Sequence, residues 1–168
     1  NGDIEVNKIL TNKIQETTPN IPVVSEESSK HKSDVDLKDF WLIDPIDGTR
    51  DYINNRDEFT LNAALILNRK PVIGIITAPA KGRVFYSYGF SNSYELINGK
   101  ELSLIEKEKS YEELIAVTYS NEPKKEILEI HKKNKITSHQ KMKSSLKFCV
   151  IAAGEFDMYV AEPRACEW

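Results

Sequence analysis

Cysteine is scarce in this chain: Cys149 and Cys166 are the only 2 in 168 residues. Their separation fits no metal-ligand spacing, and a single possible pair makes no disulfide framework. Long apolar runs are missing too, since no stretch approaches the ~18 apolar residues that a membrane-spanning helix requires. No charged leader with an apolar core stands at the start, and the cytoplasm is the default location for such a sequence. Positive charge is not in excess: 23 Lys and Arg against 26 Asp and Glu leave −3 at pH 7. That balance argues against a dedicated nucleic-acid binder, whose affinity rests on neutralising phosphates. No Cys, His or Ser sits in a recognisable nucleophile motif, so water is the expected attacker in any hydrolysis run here. What remains is ordinary globular material, 40% hydrophobic and 29% charged, long enough to bury a sizeable core as one domain over residues 1–168.

The densest signal is Phe40-Trp41-Leu42-Ile43-Asp44-Pro45-Ile46-Asp47-Gly48-Thr49. Its apolar lead-in predicts a buried strand over 40–44. Pro45 cannot donate to a ladder, so the strand is expected to stop there and turn, with Asp44 and Asp47 emerging together. Gly48 permits close backbone approach to a ligand, and Thr49 offers a hydroxyl where a helix could begin, its free N–H groups suited to phosphate. Taken alone, Asp-Pro and Asp-Gly are equally turn formers on a solvated corner. A second apolar run, Ile21-Pro22-Val23-Val24, predicts a strand over 21–24 that ends in Ser25-Glu26-Glu27-Ser28. By itself that glutamate pair reads as a charged loop. Beside Asp44 and Asp47, one glutamate of the pair completes an all-oxygen donor set from neighbouring strand ends, a partial cage of the kind Mg²⁺ accepts while keeping several waters.

The remaining periodicities give a coarse order. Ile4, Val6, Ile9, Leu10 and Ile14 predict an amphipathic helix to about Thr17, with Val6 off the ideal face. A polar, Lys- and Asp-rich loop separates the first two strands. Alternation from Phe59 to Leu67, a break at Asn68-Arg69-Lys70-Pro71, and renewed apolar residues from Val72 to Thr77 predict an antiparallel pair. Arg83 to Tyr88 follows the Lys81-Gly82 turn as a strand, and Tyr94 to Ile97 before Asn98-Gly99 predicts another hairpin. Strands followed by helices point to an α+β class. Residues 121–147 hold 8 lysines against 3 glutamates. They could form a basic wall for a second phosphate, or a helix with a solvated face and Ile127, Leu128 and Ile130 turned inward; His131 and His139 are expected at the surface.

These residues resemble the inositol monophosphatase superfamily, and within it the 3′(2′),5′-bisphosphate nucleotidases. Asp-Pro-Ile-Asp-Gly-Thr is shared across the superfamily; Arg50-Asp51, Glu58-Phe59-Thr60-Leu61-Asn62 and Ser144-Ser145-Leu146-Lys147-Phe148-Cys149 carry the narrower likeness. It is weakest over 90–143. The resemblance implies a layered α/β/α/β/α sandwich of the sugar-phosphatase type, incomplete at both ends in this chain, and a place in sulfur metabolism. It implies two or more Mg²⁺ ions held by Glu26, Asp44, Asp47 and the Ile46 carbonyl. Glu26, Thr49 and Asp3 would act on the attacking water, although Asp3 could be a plain helix N-cap. Asp47, Gly48, Thr49, Ser144 and Lys147 would contact the substrate, a small phosphate ester expected to be 3′-phosphoadenosine 5′-phosphate.

The same likeness exposes departures. A further metal-binding Asp would follow Trp168 directly, so the 168 residues are expected to be a fragment with little activity alone. Ala161 stands where the related enzymes place a nucleotide-contacting arginine, with Arg164 nearby as a substitute, and Lys143 replaces a glycine. Inositol monophosphate or another sugar phosphate is therefore the alternative substrate, and a catalytically silent metal- or nucleotide-binding module the alternative of another kind. A homodimer is also compatible with the family.

Overall fold

The computed structural model describes residues 2–29, 36–89, 92–104 and 113–161. Arg164 and the Glu167-Trp168 terminus, invoked above, lie outside them. The first helix, α1 (Gly2–Thr17), forms as its periodicity predicts, but it presents a different face. Ile4 and Ile9 are 62% and 54% exposed, whereas Val6, Leu10 and Ile14 are half-buried. Those three recur at every fourth position, and that ladder continues to Thr18, whose hydroxyl accepts the Trp41 indole N–H at 3.0 Å. The straight i, i+4 row is what one sheet surface can cover; Ile4 and Ile9 fall outside it.

Seven strands form one sheet in sequence order. β1 (Val23–Ser25) runs into the short helix α2 (Glu26–Ser29) and pairs in parallel with β2 (Phe40–Asp47). β2 does not stop at Pro45 as its sequence suggested. It continues to Asp47 through a register shift: Asp44 faces Asn62 and Asp47 faces Thr60 on β3 (Thr60–Leu67). One more residue lies between the paired positions on β2 than on β3, a β-bulge, and a bulge leaves unpaired the position where proline has no N–H to give. The helix α3 (Thr49–Ile53) follows at once. β3 then opens an antiparallel meander with β4 (Lys70–Ala78), β5 (Arg83–Tyr88), β6 (Ser93–Ile97) and β7 (Lys100–Leu104). The β3–β4 and β6–β7 hairpins turn through left-handed pairs, Asn68-Arg69 and Asn98-Gly99, whose twist matches that of the strands.

A second sheet is parallel, with β8 (Leu114–Thr118) between β9 (Ile136–Lys141) and β10 (Met158–Tyr159). α4 (Lys125–Lys133) crosses from β8 to β9, and α5 (Leu146–Ala152) from β9 to β10. Two expectations for α4 need correction. Leu128 and Ile130 are exposed, and His131 is buried, only 4% exposed, with its ring 6.2 Å from that of His139. Ile127 and His131 sit one turn apart and share the inward stripe, which leaves Leu128 and Ile130 to solvent.

The core joins both sheets. Ala78 and Phe85 of the large sheet and Val117 of the small one pack with Met142 and with Leu146, Cys149 and Val150 of α5. α5 is therefore a middle layer, with α1 across the large sheet and α4 packed against β9. The result is the layered α+β arrangement expected. No helix among the described residues is long and apolar enough to cross a membrane.

Leu146 is fully buried, so Leu146→Ala should cost about 2–5 kcal/mol, read as a lower midpoint in denaturant unfolding. Burial raises the Cys149 thiol from its ordinary 9.0 to about 12. Unfolding then releases a proton that the folded chain keeps, so Cys149 should contribute a loss of stability as pH climbs from about 9 toward about 12. In a Cys166→Ser background, alkylation of Cys149 should stay slow between about pH 7 and 9 and become fast on unfolding.

Candidate active site

The bulge in β2 decides where the acidic side chains go. Along a regular strand, residues three apart point to opposite faces, whereas Asn62 and Thr60, two apart on β3, share one. Because Asp44 and Asp47 pair with those two residues, both aspartates face the same way. Glu26 joins them from the start of α2, since Ser25 pairs with Ile43 and brings the end of β1 level with Asp44. All three line a cleft of ≈ 1170 Å³ on that face of the large sheet.

The electrostatics of Asp44 show strain. Burial, then the charges of Asp47 and Glu26, raise its carboxyl from 3.8 to about 7, and a hydrogen bond with Glu26 favours the protonated form further; only the Ile46 backbone bond opposes this. Its Oδ1 is buried without a hydrogen-bond partner among the described residues. Among those residues no three acidic, histidine or cysteine side chains converge closely enough to form a metal cage unaided. The donor set nonetheless fits a hard divalent cation. It is all oxygen, its like charges press on Asp44, and among the described residues one buried oxygen lacks the contact that a buried acceptor requires.

Gly48 and Thr49 follow directly. Gly48 is left-handed, at φ 91, and a Cβ there would stand 3.0 Å from the Glu58 carbonyl oxygen. The Thr49 hydroxyl has two acceptors within reach, Asp3 Oδ1 at 3.3 Å and the Ile46 carbonyl at 3.1 Å. The Asp3, Ile46 and Thr49 positions singled out in the sequence are thus adjacent.

The Ser-Ser pair behaves differently from its reading. Ser144 is buried and left-handed (φ 50), and its Oγ accepts the Leu146 N–H at 3.4 Å. Ser145, not Ser144, lines the cleft. Its N–H donates to Asp47 Oδ2 at 2.5 Å. Its hydroxyl sits 2.8 Å from that of Thr60 and donates to Asn62 Oδ1 at 2.7 Å. Sequence reasoning missed Ser145, Thr60 and Asn62 as site residues; their signal is the bulged register, which no residue pattern displays. Lys147 lines the same cleft. Its Nζ donates to the Ser144 carbonyl at 2.5 Å and lies 4.9 Å and 5.3 Å from the ring centres of Phe148 and Tyr159. Burial lowers its pKa, and the Asp47 charge works against that. Ala161 is also on the cleft wall.

Comparison with known proteins gives the arrangement its relatives. The model of the inositol monophosphatase family matches residues 1–168. The 3′(2′),5′-bisphosphate nucleotidase CysQ of Buchnera aphidicola is 34% identical over 160 residues, covering 94% of this chain and 59% of that protein. The nucleotidase CysQ of Aggregatibacter actinomycetemcomitans is 30% identical over 176 residues, covering 99% and 64%. The chain thus spans about three-fifths of the length of these curated relatives. Among solved structures, CysQ from Bacteroides thetaiotaomicron superposes with a TM-score of 0.65 at 28% identity, over 87% of this chain and 62% of that one. An inositol monophosphatase of Thermotoga maritima shares the fold, with a TM-score of 0.73 at 22% identity over 92% and 59%. A match that runs from the first residue to the last, over a fold these structures share, means that the chain belongs to the inositol monophosphatase family.

Proposed function

We propose that the protein is a Mg²⁺-dependent phosphate monoester hydrolase that removes the 3′-phosphate of 3′-phosphoadenosine 5′-phosphate to leave AMP. The observation that carries the chemistry is the alignment of Asp44 and Asp47 beside Glu26, with a buried oxygen on Asp44 that has no partner among the described residues. The nucleotide assignment is supported by relatives named 3′(2′),5′-bisphosphate nucleotidases, and by a staphylococcal structure of the same fold described as bound to 2′AMP.

Glu26, Asp44, Asp47 and the Ile46 carbonyl would hold the metal, as two or more ions. Bound there, Mg²⁺ supplies charge neutralisation at the phosphoryl oxygens and makes water more acidic. The chain's own groups do the rest. With its proton given to Asp3 or to the Ile46 carbonyl, the Thr49 oxygen keeps a lone pair for a water hydrogen and so aims the water oxygen. That oxygen forms the new bond to phosphorus as the bond to the ribose 3′-oxygen breaks. The water gives up a proton, the departing oxygen gains one, and the products are AMP and phosphate. Gly48, lacking a Cβ, lets phosphate come close to the backbone ahead of α3. Ser145 holds Asp47 in orientation through its N–H, and Lys147 offers a cation to the second phosphate.

Ala161 on the cleft wall favours a second reading, a sugar-phosphate substrate, because alanine offers no charge to a 5′-phosphate. Comparing kcat/KM for 3′-phosphoadenosine 5′-phosphate and inositol monophosphate in the full-length protein separates the two.

Asp47→Asn in the full-length enzyme should lower Mg²⁺-dependent phosphate release by more than the ~10–100-fold typical of groups behind a metal ligand; near wild-type turnover would defeat the assignment. Thr49→Ala should lower kcat by about 10²-fold or more, with little change in KM, because a lost water-orienting group acts on the chemical step.

A further inference from the structure

A second charged cluster lies behind the cleft. Asp51 on α3 has a side chain only 2% exposed, yet two cations reach it. Lys143 Nζ stands 3.3 Å from Oδ1 and 3.2 Å from Oδ2, and Arg56 Nη1 stands 3.2 Å from Oδ1. The two cations are not equivalent. Arg56 is mostly exposed and belongs to the loop directly after α3, so it ties Asp51 only to its own neighbourhood. Lys143 is largely buried and lies 92 residues away in sequence, on the segment leaving β9. Its backbone N–H also points at Glu58 Oε2, at 3.4 Å. Side chain and main chain of this one residue therefore fasten the β9–α5 connection to α3 and to the loop between α3 and β3.

That connection carries the group that touches Asp47. Ser144, next in line, turns through the left-handed region, and Ser145 follows with its N–H on Asp47 Oδ2 at 2.5 Å. In a turn this short, the direction of the Ser145 N–H follows from where Lys143 is anchored on one side and Leu146 on the other. Of the two cations Lys143 is the more buried, so its attraction to the buried carboxylate is less weakened by water, and losing it leaves Asp51 with the exposed Arg56 alone among the described cations that reach it. Glycine at this position, the residue of the pattern the chain resembles, has no side chain with which to make it.

We infer that Lys143 is a positioning residue: through its ion pair with Asp51 it fixes the Ser144 turn and so aims the Ser145 N–H at Asp47. The clamp rests on the proposed function only where activity is the readout.

The test uses the full-length protein with Lys143→Met and Lys143→Arg. Amide hydrogen exchange of Ser145, followed by NMR without metal or substrate, should quicken by about 10-fold or more in Lys143→Met while that of Val150 in α5 changes little, and Lys143→Arg should restore it. A general loss of stability would instead quicken both amides together, and that result, like an unchanged Ser145 amide, overturns the inference. If Lys143→Met does not fold, Asp51→Asn removes the same attraction with nearly the same shape and is read in the same way. Loss of phosphatase kcat/KM in step with Ser145 exchange ties the clamp to turnover. A wild-type protein without Mg²⁺-dependent phosphatase activity would defeat the proposed function, and the exchange result would still decide the clamp.

Discussion

One extra residue in β2 carries the architecture of the site. Without the bulge at Pro45-Ile46, strand geometry would send Asp44 and Asp47 to opposite sides of the sheet, one toward α1 and the other toward the cleft. With it, both point into the cleft beside Glu26. Proline suits this place because a bulge leaves a position that makes no ladder bond, and Pro45 is among the fully buried residues, so the kink is packed in place. The same shift sets Asn62 and Thr60 behind the two aspartates, where Ser145 can bridge them. The two aspartates, the cleft wall beside them and the serine hydroxyl all inherit their positions from that irregularity.

Much of the large sheet was legible because antiparallel strands with one half-buried face alternate visibly and end in Asn, Gly and Lys turns. The strands 83–88 and 94–97 and the pair around Asn68-Arg69 fall where those signals place them. The helix α1 was legible in extent but not in facing, since its five apolar residues fit more than one stripe and only Trp41 and β2 choose between them. The second sheet was not legible. β9 is Ile136-Thr137-Ser138-His139-Gln140-Lys141, a mostly exposed edge strand with no apolar alternation, and a parallel sheet joined by helices leaves no hairpin signal. The order of the layers came from the family likeness, not from periodicity.

For the site, sequence pattern supplied residue types and missed partners. Asp44, Asp47, Gly48 and Thr49 stand in one short stretch, and Glu26 announces itself at the end of a strand. Ser145, Thr60 and Asn62 are polar residues of ordinary kind whose meeting depends on a register and on two sheets closing over α5. The cations divide in a way that no run of lysines reveals. Lys147 faces the cleft between two aromatic rings, whereas Lys143 turns away from it toward Asp51.

The span between partners differs sharply across the site. The meander closes through hairpins of near neighbours, whereas Asp47 and Ser145 lie 98 residues apart and Thr60 and Ser145 lie 85 apart. Closing a short loop costs less entropy than closing a long one. Alignment of the two aspartates thus needs only β2 and its neighbour β3, whereas the serine that steadies one of them is contributed by a remote stretch of the chain.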